Sequence, residues 1–158
     1  MYINAHSYYS LRYGIVSPEE LIDIYLDFGL NYCLLTDINN TSACLDFIRM
    51  AQLKKTKPIV GIDFRNGNEQ LYIGIAKNNI GFQELNDHLS EHLHNKIDFE
   101  HRAPSFQHVY VIYPFSRSNQ KLRKNEYIGI KPIELIRLRL SKSSIPKHKL
   151  VCLQRASF

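Results

Sequence analysis

The chain has 158 residues, a length that suits one compact domain with a buried core. Its 44% hydrophobic and 22% charged composition excludes disordered and collagen-like classes, and no apolar run approaches the roughly 20 residues that a bilayer span requires. The formal charge of +5 is uneven, with 7 Lys and Arg against 8 Asp and Glu in residues 1–80 and 13 against 7 in residues 81–158, so the second half suits either a solvated basic surface or one that faces a polyanion.

In chain order, "MYINA" reads as a short strand whose alternating start is unlike a secretion signal. "SPEELIDIYLDFG" follows as a helix, with Ser17 as N-cap, Pro18 at the first helical position, Glu20 completing a capping box and Gly29 ending it. "NYCLLT" is a buried strand, and "TSACLDFIRMAQLKK" a helix with Ala43, Phe47, Met50 and Leu53 at helical spacing. "PIVGIDF" and, after the turn "RNGN", "QLYIGIA" are two more strands, followed by a helix over "GFQELNDHLSEHL". "HVYVIYPF", "YIGI" and "KLVCL" bring the strands to seven, with a basic helix "PIELIRLRLSK" starting at Pro132. Strands that alternate with crossover helices imply a largely parallel sheet, and sites in such sheets form at the carboxyl ends of the strands. That rule selects His6, Asp37 and Asp63.

Carboxylates and imidazoles gathered from several strand ends can hold divalent ions, but three groups are too few for a two- or three-metal phosphoesterase. A lone histidine at a strand end is more often a hydrogen-bonded core residue than a ligand. In "HLSEHLH", His88 and His92 are four apart, as on zinc-binding helices, with His94 two further on. The apolar stripe Phe82, Leu85, Leu89, Leu93 lies beside them, so a solvated flank is the expected environment. Cys33, Cys44 and Cys152 are odd in number and have no paired spacing, which fits thiols in a reducing, cytoplasmic compartment. Lys121, Arg123, Lys124, Arg137, Arg139 and Lys142 form a candidate nucleic-acid-facing set, without the interleaved aromatics of a single-strand stacking surface.

Taken in order, "HSYYSLRYG", "SPEEL", "GLNYCLLTD", "KPIVGIDF" and "IAKNNIGFQEL", extended by "NEYIGIKPIEL" and "KLVCLQRASF", make the chain resemble the polymerase and histidinol phosphatase (PHP) family. The likeness is to the version that opens the alpha subunit of bacterial DNA polymerase III. It implies an α/β fold, a distorted TIM-like β/α barrel of about seven strands, as one domain over residues 1–158. Active members bind three metals at the strand ends and hydrolyse phosphoesters. The resemblance also implies where ligands should stand, and this chain departs from most of those positions. Asn4 replaces the first His of the His-x-His motif, Tyr13 an Asp before Gly14, Ile38 the His after Thr36 and Asp37, and Arg155 and Ser157 the ligands of the final motif. His6 and Asp63 alone persist as remnant ligand positions.

The expected reading is therefore a structural and subunit-docking PHP module of a replicative DNA polymerase, with no catalytic residue or bound metal of its own. The resemblance implies that the polymerase core, with its Mg, lies beyond Phe158. It further implies contact with the remainder of the alpha chain and a proofreading exonuclease subunit, with DNA reached through the parent polymerase and no membrane involved. The alternative is an active phosphoesterase or 3′–5′ exonuclease using Zn or Mn.

Overall fold

The computed structural model describes residues 4–118, 120–140, 145–153 and 155–156. Strand β1 (Asn4–Ala5) leads through a tight loop into helix α1 (Pro18–Asp27). There the Ser17 hydroxyl accepts from the Glu20 amide and the Glu20 carboxylate accepts from the Ser17 amide, the reciprocal cap expected from "SPEE". β2 (Tyr32–Ile38), α2 (Cys44–Leu53), β3 (Lys57–Asn66), β4 (Glu69–Ala76) and α3 (Asn79–Asn95) follow. After a long connection come β5 (Val109–Pro114), β6 (Glu126–Ile130), a single 3₁₀ turn running into α4 (Leu135–Leu140), β7 (Leu150–Cys152) and β8 (Arg155–Ala156).

Six strands form one curled sheet in the order β2-β3-β4-β5-β6-β7, while β1 pairs with β8 beside it. Thr36 ties β1 to β2, since its hydroxyl accepts from the Ala5 amide at 3.0 Å and donates to the Ala5 carbonyl at 3.3 Å. The result is a distorted, partly open β/α barrel, as the resemblance implied, with an eighth strand too short to carry a sequence period. The ladders β2-β3, β5-β6, β6-β7 and β1-β8 are parallel. β4 runs antiparallel to both neighbours, which corrects the simplest reading of the strand–helix rhythm. The cause is local: only Gly67 and Asn68 separate β3 from β4, and so short a link can join only antiparallel strands. Gly67 supplies the positive φ of 55° this turn needs.

Ile73, Ile75 and Ile112 pack with the apolar faces of α1 and α2, whereas Phe64, Tyr72, Val111 and Tyr113 pack under Leu85 and Leu89 of α3. Residues alternate between the two faces of a strand, so Asp63 and Phe64 leave β3 on opposite sides. The solvated flank expected on α3 holds for His94, which is exposed, but not for His88 and His92. His88 and His92 are 7% and 4% exposed, while Leu93, assigned to the apolar stripe, is 54% exposed. His88 meets Phe64 and Phe99 at a tilt and Phe106 edge-on, and burial followed by the neighbouring His92 pushes its pKa down to about 4. His88 is thus neutral at neutral pH, which is how an imidazole enters an aromatic core. No helix among the described residues is long and apolar enough to cross a membrane.

Candidate functional site

The carboxyl ends of β1, β2 and β3 bring His6, Asp37 and Asp63 to one place, as the sequence predicted. What surrounds them decides what they can do. Asp37 is a buried anchor. It accepts from the Ser7 amide at 2.8 Å, the Ser7 hydroxyl at 2.7 Å and the Ser10 hydroxyl at 2.6 Å. Burial raises its pKa, and the Ser10 and Ser7 hydrogen bonds oppose that rise. With both oxygens engaged, Asp37 holds down the loop from Ser7 to Gly14. Gly14 closes this loop so tightly that a Cβ there would lie 2.0 Å from the Ser7 carbonyl oxygen. The loop in turn sets Tyr13 over the site.

Asp63 is completely buried and carries more donors than any other carboxylate at the site. His6 Nε2 stands 3.1 Å from Oδ2, and Arg65 donates to the same oxygen from Nε at 3.0 Å and Nη2 at 2.7 Å. Gln70 Nε2 donates to Oδ1 at 2.9 Å. Arg65 is itself only 2% exposed, and its guanidinium lies 4.5 Å from the centre of the Tyr13 ring. That ring also meets His6 edge-on and donates its hydroxyl to Asn68 Oδ1 at 3.0 Å. A permanent cation in direct contact with the carboxylate, capped by an aromatic face, thus fills the space between Asp63 and Tyr13. A divalent ion drawing on His6 and Asp63 would have to displace this guanidinium against strong like-charge repulsion. Among the described residues, the lone pairs of Asp63 are met by His6, Arg65 and Gln70.

Arg65 is the site residue that the sequence reading did not select. The signal was present, since Asp63 and Arg65 are two apart on a strand and so share a face. Arg155, which the resemblance puts at a ligand position of the final motif, lies in β8 with its backbone opposite Asn4. The Asn4 amide is buried, and neither of its polar atoms has a hydrogen-bond partner among the described residues. Ile38 is half-buried, and its amide donates to Ser10 Oγ at 2.9 Å. Ser157 and Lys142 lie outside the described residues.

The remaining basic candidates are scattered in role. Lys121, Lys124, Arg137 and Arg139 are exposed. Arg123 is half-buried and donates to the carbonyls of Ala103 and Pro104, each at 3.0 Å, with Glu126 3.4 Å away. A cavity of about 690 Å³ opens at the opposite end of the strands, lined by Ile59, Ile75, Phe82, Ile112 and Tyr127. Its lining is mainly apolar and does not include Asp63, so this cavity and the charged cluster do not coincide.

The strand-end cluster of a distorted β/α barrel is the hallmark position of one class of proteins, and this chain belongs to it: the PHP domain family matches residues 3–133. Among its relatives, the DNA polymerase III subunit alpha of Ureaplasma parvum serovar 3 is 37% identical over 83 residues, 52% of this chain and 8% of that protein. The DNA polymerase III subunit alpha of Mycoplasma genitalium is 33% identical over 92 residues, 54% of this chain and 10% of that protein. The chain therefore matches only a tenth or less of the length of these relatives. A crystal structure from Bifidobacterium adolescentis, of a protein assigned as a metal-dependent phosphoesterase, overlaps 58% of this chain and 31% of that one, with a TM-score of 0.46 and 15% identity.

Proposed function

We propose that this chain is a non-catalytic PHP module of a DNA polymerase III alpha subunit, acting in DNA replication in the cytoplasm as scaffold and subunit-docking surface. The observation that carries this reading is the buried Arg65–Asp63 pair. Metal-dependent phosphoester hydrolysis needs a metal-bound hydroxide made near neutral pH, and therefore free lone pairs around the ion. Here the Asp63 lone pairs meet His6, Arg65 and Gln70, and those of Asp37 meet serine donors. The partners of such a module are the rest of the alpha chain, a separate proofreading exonuclease subunit and, through the polymerase with its own Mg, DNA. Exposed Lys121, Lys124, Arg137 and Arg139 would add a weak, salt-sensitive attraction to phosphate backbones.

The test is hydrolysis of bis(p-nitrophenyl) phosphate and of a 3′-labelled oligonucleotide with added Mn²⁺ or Zn²⁺. Rates equal to the metal-only blank, unchanged in His6→Ala, are expected. Turnover that His6→Ala abolishes would establish the active phosphoesterase instead.

A further inference from the structure

A second group of ligand-type side chains lies on the other side of the sheet. His88, His92 and Glu100 each bring one potential ligand atom into a set lying within 4.8 Å of one another. They stand apart from Asp63, because Phe64, which leaves β3 on the opposite face, packs 5.3 Å from the His88 ring.

The hydrogen bonds of His92 pose a problem. Its Nδ1 is 2.8 Å from the His88 carbonyl oxygen, and its Nε2 is 3.1 Å from Glu100 Oε2. Both neighbours can only accept, yet a neutral imidazole has a single N–H to give. With that proton on Nδ1, the Nε2 lone pair points at a carboxylate, and a positive charge must lie between them. A proton or a metal ion can supply it. The carbonyl on Nδ1 is the arrangement that fixes the tautomer of metal-bound histidines and turns Nε2 outward.

The separation of His92 from Glu100 suits an ion. In a tetrahedral zinc site, bonds of about 2.0–2.1 Å place neighbouring ligand atoms about 3.3 Å apart, close to the observed Nε2–Oε2 separation. His88 is a neutral ring on the same helix face, one turn before His92. Its Nε2 is 2.8 Å from the Tyr72 hydroxyl, a polar neighbour able to orient it. The site is dry on the inside, where Phe64, Phe99 and Phe106 surround the imidazoles. Toward solvent it is open, since the Glu100 side chain is 65% exposed. That opening admits an ion and leaves a fourth position for water.

We propose that His88, His92 and Glu100 bind one divalent transition-metal ion of the zinc class, clasping the segment after α3 to that helix. Imidazole and carboxylate donors suit zinc, cobalt and nickel better than magnesium or calcium. The site does not depend on whether His6 and Asp63 are active.

The test titrates chelator-stripped protein with Co²⁺ and follows the visible absorption of four-coordinate cobalt, then displaces it with Zn²⁺. One equivalent is expected to bind and to raise the melting temperature. Glu100→Ala should weaken binding by about tenfold or more, with each variant's melting temperature compared with and without metal. His92→Gln should abolish it. Absence of stoichiometric uptake, or uptake indifferent to Glu100→Ala, would overturn the proposal. So would a nitrogen NMR signature of doubly protonated His92 persisting under excess Zn²⁺, which would assign the positive charge to a proton.

Discussion

Arg65→Met is expected to lower folding stability by about 3–5 kcal/mol, because it strands the fully buried Asp63 carboxylate without its cation. For a chain of this size that corresponds to a fall in melting temperature of roughly 6–20 °C. The deficit is a penalty for an unpaired charge more than the net worth of the pair, and this distinction is measurable. Asp63→Asn combined with Arg65→Met should recover at least half of the loss, since a neutral pair of similar volume can occupy the same space. Arg65→Lys should fall between the two. An ammonium cannot give two parallel donors to one carboxylate oxygen or lie flat under Tyr13. Urea midpoints of the four proteins check the series.

The second large effect is at Asp37. Asp37→Ala removes the acceptor of three hydrogen bonds from Ser7 and Ser10, all short and all buried. Bonds to a charged acceptor contribute about 1.5–3 kcal/mol each, but relief from burying the carboxylate offsets part of that, so a net loss of about 3 kcal/mol is expected. The damage should be local in character. The Ser7–Gly14 loop is fastened to the sheet through Asp37, so its amides should lose hydrogen-exchange protection before those of β2 and β3 do. Asp37→Asn should cost less, because the amide oxygen still accepts while its NH₂ can donate to a serine hydroxyl. Hydrogen exchange resolved by residue separates this outcome from uniform destabilisation.

How far the sequence led can be judged from particular elements. "NYCLLT" and "PIVGIDF" were legible because a parallel strand covered on both faces is a continuous apolar run. The Ser17 cap was legible because its partners are three residues away. The direction of β4 was also written in the chain, in a two-residue link, but the strand–helix rhythm outweighed it. β8 was beyond reach, as two residues have no period. At the site, strand ends located His6, Asp37 and Asp63 correctly, since topology alone puts them together. Arg65 was not legible as a site residue because it stands at no ligand position of the family pattern, and its place is set by the ion pair with Asp63. His88 and His92 of α3 were misplaced for a related reason. Counting imidazole as polar put them in water, whereas a neutral ring among phenylalanines is core.

Both large effects bear on the function proposed above, in which the Arg65 guanidinium occupies the place that divalent ions would need beside Asp63. The most direct measurement is an anomalous difference map from crystals soaked in Mn²⁺, which locates each ion instead of merely counting them. No peak is expected within coordination distance of His6 Nε2 and Asp63, about 2.0–2.3 Å, and the Arg65 density should remain in contact with the carboxylate. A manganese peak bridging His6 and Asp63, with Arg65 swung away, would contradict the account.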